Sequence, residues 1–375
     1  MRTIQLGLEW FSERAGGLPR YFFDLLNTTP HLTDARGMVI GSANVAVETG
    51  GRIRSYAASS DSYLRKFRGA RRTYAELLRE GTPELTVSHF ALSTLPVLDL
   101  IKGPLAVHFH GPWAGESAVE GDAGLRVRLK RTMEVAVYRR GRLFIVLSQA
   151  FADVLHGAYG VPRERIRIIP GGVDFKRFDI AETRAEARER LGWPTDRPIL
   201  LAVRRLVRRM GLEYLVEAMT EVVRHHPDAL LMIAGRGPLR DELLAQIHAL
   251  GLERNVRLLG FVSDEDLPRA YRAADLSVVS TQALEGFGLI ALESLAAGTP
   301  AIVTPVGGLP EVTAPLAPGL VFEGKGPEAM AAGLLDALGG RGIPDAAACR
   351  SYAATFDWPI IAARVTAAYR EALSS

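Results

Sequence analysis

Through residues 174–375, short apolar runs alternate with stretches of helical period. Ile199–Val203, Ala229–Ala234, Asn255–Leu259, Leu276–Ser280 and Ala301–Thr304 read as strands, with a last short one at Leu320–Phe322. Gly211–His226 carries apolar residues at Leu212, Leu215, Val216, Met219, Val222 and Val223, the spacing of one helical face. Leu239–Leu250, Asp264–Ala274, Phe287–Ala297 and Pro327–Leu338 read as further helices. Strict β/α alternation with short connections predicts a parallel sheet wrapped by helices. The strands read mostly as continuous apolar runs, as strands buried on both faces do.

The first half is less regular. Strands are expected at Thr3–Leu8, Val39–Ile40, Leu85–Val87, Leu105–His108, Leu143–Leu147 and Ile166–Ile169. Helices are expected at Leu18–Leu26, Ser62–Leu78, Ala91–Leu100, Leu125–Arg139 and Ala150–Tyr159, with loops at 41–60 and 112–124. Between Gly171 and Pro198 the pattern breaks and charge rises, which marks a junction. The whole reads as two doubly wound α/β domains in tandem. A chain of 375 residues is long enough for two.

Composition narrows the class. A single cysteine, Cys349, excludes a disulfide framework and a cysteine-built zinc site. No run approaches the ~18 apolar residues of a membrane span. Glu9 and Glu13 interrupt the place where a secretory signal needs its apolar core, so a cytoplasmic protein is expected. Residues 1–173 carry 23 Lys and Arg against 16 Asp and Glu, whereas residues 174–375 carry 22 against 26. The basic first half fits an anionic partner, a phosphorylated substrate or a membrane surface; it equally fits an ordinary solvated face. Nothing points to nucleic acid.

In open parallel sheets, ligands bind beyond the carboxyl ends of the strands. In the second half those ends carry Arg204-Arg205, Gly235-Arg236-Gly237-Pro238, Gly260-Phe261-Val262, Thr281 through Glu285, and Gly307 through Glu311. No GxGxxG occurs, since Gly235 and Gly237 meet Arg240 where a third glycine belongs. The sharpest segment is Glu285-Gly-Phe-Gly-Leu-Ile-Ala-Leu-Glu293. A helix beginning near Phe287 offers N–H groups at Gly288 and Leu289 to a phosphate. Glu285 and Glu293 flank that anion site and suit sugar and ribose hydroxyls, with Arg205 as the opposing charge.

This set of motifs resembles the retaining glycosyltransferases of family GT4. The resemblance implies a GT-B fold: two tandem Rossmann-like domains facing across a cleft. Residues 1–173 would bind acceptor and 174–356 donor, with a C-terminal helix of about 357–375 crossing back onto the first domain. Gly16-Gly17 resembles the family's N-terminal double glycine, His108-Phe-His110-Gly-Pro112 its acceptor-side histidine loop, and Ile169 through Asp174 the end of its first domain. Leu258 through Val262 resembles the base-binding loop, and Phe356-Asp-Trp358 the start of the returning helix. One departure stands out. The family pattern Arg-Leu, three residues, Lys-Gly reads Arg205-Leu-Val-Arg-Arg-Met210-Gly211 here, so the diphosphate lysine is a methionine. Arg209 or Arg204 is left to replace it, and adjacency favours Arg209.

The resemblance implies hexosyl transfer from a nucleotide-diphosphate sugar, with UDP the commonest donor, to a hydroxyl acceptor. That acceptor would be a sugar, a lipid-linked chain or a natural product. Glu285 would hold the transferred sugar and Glu293 the ribose. Gly288, Leu289, Arg205 and Arg209 would stabilise the leaving diphosphate, and His110 would lie near the reacting centre. Gly16, Gly17, Gly235, Val262 and Phe287 complete the expected donor set. No metal or other cofactor is expected. His108, inside a strand, reads as structural, and the basic run from Arg126 to Arg142 as a solvated face or an anion-docking surface. The alternatives are a sugar-nucleotide epimerase on the same plan and a non-catalytic two-domain binding protein.

Overall fold

The computed structural model describes residues 1–14, 16–29, 32–122 and 124–374. They form two compact units, Met1–Gly172 with Trp358–Ser375, and Val173–Asp357.

The first unit is built on seven parallel strands, β1 (Arg2–Glu9), β2 (Asp34–Ile40), β3 (Ile53–Ala57), β4 (Leu85–Ser88), β5 (Leu105–Phe109), β6 (Leu143–Val146) and β7 (Ile166–Ile168). Their order is β3-β2-β1-β4-β5-β6-β7, so the direction of winding reverses between β1 and β4. The second unit has five parallel strands, β8 (Ile199–Val203), β9 (Leu230–Ala234), β10 (Val256–Gly260), β11 (Leu276–Val279) and β12 (Ala301–Val303). The order β10-β9-β8-β11-β12 reverses between β8 and β11. Each reversal opens a crevice at the carboxyl ends of its two central strands, because their following helices lie on opposite faces. Residues 199–202 of β8 have no exposed surface, as expected for a strand covered on both faces.

Several elements depart from the sequence reading. β3 occupies part of the expected 41–60 loop as an edge strand, with only Ile53 and Tyr56 of its five residues buried. The expected Ala91–Leu100 helix stops at Thr94, and a single 3₁₀ turn containing Pro96 replaces the rest. The 112–124 loop contains a helix, Trp113–Val119. Leu320–Phe322 is no strand: a 3₁₀ turn at Pro318–Leu320 leads to an isolated bridge between Val303 and Val321. Inside the junction, Arg184–Leu191 is helical, started by a capping box in which Thr183 and Glu186 bond each other's backbone N–H. Ala346–Ala354 adds a helix before the terminal one, Trp358–Ser374.

Candidate active site

The crevice of the second unit lies where β8 ends in Arg204-Arg205 and β11 runs on through Ser280 to Glu285. Backbone bonds lace the two segments together. Gln282 N donates to Arg209 O at 2.8 Å, and the Ser280 hydroxyl to Met210 O at 2.8 Å. Leu284 sits at φ +54°, the one non-glycine residue with positive φ among those described. A leucine held there is strained, and such strain concentrates at functional turns. Gly307 fixes the other side of the turn. Its φ is +56°, and a Cβ there would come within 2.0 Å of Glu285 O. Gly308 N donates to that same oxygen at 3.0 Å.

The Glu285 carboxylate so positioned accepts from Arg204 Nη2 at 2.5 Å and from the Thr281 hydroxyl at 3.4 Å. Arg204 also reaches Thr281 Oγ1. Burial by itself would raise the Glu285 pKa. The Arg204 charge and hydrogen bond, the Arg209 charge and the Thr281 hydroxyl outweigh it and hold the carboxyl below its ordinary value. Glu285 is therefore an anion at neutral pH, inside a cage of cations. Arg209, itself buried, donates through Nη1 to Leu284 O at 3.1 Å. Arg205 is exposed at the rim.

The helix following Glu285 is Leu289–Ala296 with Gly288 as its N-cap, two residues later than expected. Its first turn still presents backbone N–H groups at Leu289 and beyond. Glu293 lies further along it, and Tyr271, fully buried, donates its hydroxyl to Glu293 Oε2 at 3.2 Å. Phe287 is buried against Phe356, ring centroids 6.2 Å apart, so its side chain belongs to the packing. Gly235 is likewise explained by packing. At φ +152° it lies so close to Arg204 that a Cβ would stand 1.7 Å from the Arg204 carbonyl oxygen. Val262 is half-buried beside Phe261, whose exposed ring lies 5.2 Å from the Arg236 guanidinium.

One Asp-x-Asp triplet occurs, Asp264-Glu265-Asp266, and the expectation of metal independence has to meet it. Both aspartates are engaged by nearby side chains. Asp264 pairs with Arg177 at 2.6 Å; Asp266 accepts from Ser263 Oγ at 2.8 Å and from Arg269 at 2.9 Å.

In the first unit, His110 directly follows β5. His108 is two residues earlier and on the same face, as strand periodicity dictates. His89, at the end of neighbouring β4, joins them. The three rings stack with interplanar angles of 14–19° and centroids 4.3–5.9 Å apart. Tyr21 meets His110 edge-on at 4.8 Å. His108 is tied at both nitrogens, to Tyr21 OH at 3.3 Å and to Tyr369 OH at 2.6 Å. His89 Nε2 bonds Gln5 Oε1 at 2.9 Å. His89 Nδ1 and His110 Nε2 are buried without a partner.

Burial pushes the His110 pKa down to about 4. His89 and His108 are held well below 6.5, by burial first and then by neighbouring imidazoles. All three are neutral at pH 7. One nitrogen of each lies within 4.8 Å of the others. The rings are nearly parallel, however, and in-plane lone pairs of stacked rings do not converge on one ion. A tetrahedral zinc site sets its nitrogens roughly 3.4 Å apart around a common centre.

Sequence reasoning missed His89, although a histidine ending the strand beside β5 was a usable signal. It also missed Glu134, the one acid in the basic run. Glu134 is 1% exposed; it accepts from Trp113 N at 2.7 Å, Ala114 N at 3.4 Å and Tyr159 OH at 2.7 Å. It thereby anchors the helix that follows the His110 loop. Gly16 is the N-cap of the helix Gly17–Thr28 and its carbonyl accepts from Arg20 N, so the double glycine starts that helix.

Two parallel doubly wound sheets, each with polar groups at its switch point, define the GT-B class of fold. Solved structures agree: the Anabaena protein HepE, seen in complex with UDP-glucose, superposes with a TM-score of 0.78 over 99% of this chain and 100% of its own, at 18% identity. Residues 183–356 match the family described as glycosyl transferases group 1, and residues 22–177 match Glycosyltransferase Family 4. A GDP-mannose-dependent monoacylated alpha-(1-6)-phosphatidylinositol monomannoside mannosyltransferase of Corynebacterium glutamicum is 34% identical over 68% of this chain and 67% of its own length. The mannosylfructose-phosphate synthase of Agrobacterium fabrum is 38% identical over 47% and 40%. The chain belongs to glycosyltransferase family 4. In several of its curated relatives the match spans about half their length or less.

Proposed function

We propose that the protein is a retaining glycosyltransferase that moves a hexose-type sugar from a nucleotide-diphosphate sugar, UDP first among the candidates, to a hydroxyl acceptor without a metal ion. The observation that carries this reading is the Glu285 carboxylate, buried and ionised beside Arg204 and Arg209 and three residues before the N-cap of the following helix. A carboxylate so placed accepts hydrogen bonds from sugar hydroxyls, while the arginines and helix N–H groups stabilise charge developing on the departing diphosphate. Glu293 is assigned to the ribose, and Arg205, Gly288 and Leu289 to the diphosphate. Arginine supplies the charge that a metal supplies elsewhere, and the paired state of Asp264 and Asp266 supports this. His110, neutral and with an open Nε2, is assigned to the acceptor hydroxyl. Retention is read from the family, with the leaving phosphate taking the acceptor proton.

The acceptor is a sugar, a lipid-linked chain or a natural product, and the proposed location is the cytoplasm. No helix of the described residues is long and apolar enough to cross a membrane. Peripheral contact with an anionic membrane is supported by the helix Tyr63–Arg79. There Tyr63 and Leu64, 82% and 58% exposed, alternate with Arg65, Lys66 and Arg68.

The test is a thermal-shift screen in chelator against UDP, GDP, ADP and dTDP, followed by turnover with the matching sugar nucleotides. A ligand at 100 times its dissociation constant adds ~2.7 kcal/mol, which moves the midpoint by several degrees. A shift with one base and transfer in chelator is the expected result. Binding without turnover in any acceptor mixture would favour a non-catalytic binding protein, and no shift with any base would sink the donor site.

A further inference from the structure

The residue at position 210 leaves the donor site short of one cation relative to the family pattern. Met210 is 4% exposed and packs within the apolar core that includes Leu206, Leu212 and Leu239. It places no charge beside Glu285. Two neighbouring arginines are the candidates to replace it, and the geometry separates them. Arg209 uses Nη1 on the carbonyl of the strained Leu284, so its bond shapes the turn. Arg204 bonds the Glu285 carboxylate itself and the Thr281 hydroxyl. Its side chain is 9% exposed, and its Nε–H has no hydrogen-bond partner. A buried guanidinium with an unanswered donor costs free energy until an acceptor arrives. A planar fork can serve a carboxylate and a phosphate together, which the point charge of a lysine does less well.

We infer that Arg204 supplies the cation that Met210 lacks, orienting Glu285 in the free protein and donating to the β-phosphate of a bound nucleoside diphosphate. This rests on the donor-site reading above. It makes Arg204, rather than Arg209 next to Met210, the group that distinguishes a nucleoside diphosphate from a monophosphate.

The test is calorimetric titration of UDP and UMP, with GDP and GMP alongside, into the full chain and three variants. Arg204→Gln should weaken diphosphate binding by about tenfold or more, the scale of one lost charged hydrogen bond, while leaving monophosphate binding nearly unchanged. Arg209→Gln, acting through the turn, should weaken both members of each pair alike. Arg204→Lys keeps the charge and loses the fork. It should cost the diphosphate about fivefold and the monophosphate nothing, and it carries the test if the Gln variant does not fold. Equal losses of diphosphate and monophosphate in the Arg204 variants, or a selective diphosphate loss in Arg209→Gln alone, would overturn the inference. Wild-type protein that bound none of the four nucleotides would instead remove the donor-site reading beneath it.

Discussion

The two switch points handle polarity in opposite ways. In the second unit the crevice holds full charges, buried and paired in advance: Arg204 on Glu285, with Arg209 close by. In the first unit the corresponding place holds three stacked imidazoles and two tyrosines, all neutral because burial penalises the charged forms. On the proposed function, the donor site needs fixed cations for a departing diphosphate, and the acceptor site needs a hydrogen-bond partner whose protonation does not drift. The basic excess of the first unit therefore says little about its centre, where no Lys or Arg appears among the causes shifting the three histidines.

The largest effect should come from removing the charge in the second unit. Glu285→Gln keeps the shape and loses the anion. Transfer should fall by about 10²- to 10³-fold, the usual cost of one preorganised electrostatic contact. Nucleotide binding should stay nearly intact, since the arginines proposed to hold the phosphates remain. The variant also leaves Arg204 without its counter-charge, so the unfolding midpoint should drop. Steady-state rates paired with nucleotide titration decide the matter, and equal loss of rate and nucleotide affinity would contradict the assignment to the sugar.

Neutrality in the first unit makes a pH prediction. The unfolded imidazoles protonate near 6.5, whereas folded His110 resists protonation down to about 4. The unfolded state thus binds more protons in that interval, so stability is complete above pH 6.5 and is lost as pH falls toward 4. For His110 alone the shift corresponds to roughly 3 kcal/mol. His89 and His108 act in the same direction. Unfolding free energy measured between pH 7.5 and 4.5 should fall less steeply in His110→Asn than in wild type. Parallel curves would show that His110 does not carry the effect, and the contrast between the two units would lose its basis.

The same contrast explains what could be read from sequence. The second unit was legible because its strands are largely apolar runs and its turns are marked by glycine, so the strand ends could be located and Arg204-Arg205 and Glu285 placed at them. What the sequence does not show there is contact: the Phe287 ring packs against Phe356, and Gly235 lies too close to Arg204 O to carry a Cβ. Adjacency to Met210 favoured Arg209, whereas the hydrogen bond of Arg204 to the Glu285 carboxylate emerges only from the folded chain. The first unit was harder because β3 is an edge strand with polar positions, and because His89 and His108 meet only through strand pairing between β4 and β5. Sequence periodicity puts His108 and His110 on one face but cannot bring in a third histidine from 19 residues upstream.

A smaller effect tests whether Glu134, a buried acid of the first unit, serves structure or chemistry. Glu134 accepts three hydrogen bonds, two from the backbone that starts the Trp113–Val119 helix. Glu134→Ala leaves those donors buried and unpaired, at a cost of about 2–4 kcal/mol. Glu134→Gln keeps an acceptor and should cost less. Both should lower the midpoint, with a modest loss of transfer as the His110 loop loosens. A loss of transfer comparable to that of Glu285→Gln at unchanged stability would place a charge in the acceptor site and break the comparison.

The smallest effect on the fold should come from the outside of the same unit, where its charges do lie. Tyr63, Leu64 and Phe67 are 82%, 58% and 44% exposed on the first two turns of their helix, among Arg65, Lys66, Arg68 and Arg71. Ala70, Thr73, Tyr74 and Leu77, further along the helix, are buried. At about 100° per residue Tyr63 and Phe67 lie on the same face as Ala70, Tyr74 and Leu77, so the exposed residues are the projecting end of that stripe. Replacing Tyr63, Leu64 and Phe67 with serine touches no core contact, so stability should change by less than about 0.5 kcal/mol per site. Transfer to a water-soluble acceptor should be unchanged. Sedimentation with vesicles containing anionic phospholipid should fall severalfold, and the residual binding should vanish with added salt, because basic residues that remain are screened while apolar insertion is not. Wild-type protein that ignores such vesicles at low salt would return this face to the status of solvated surface.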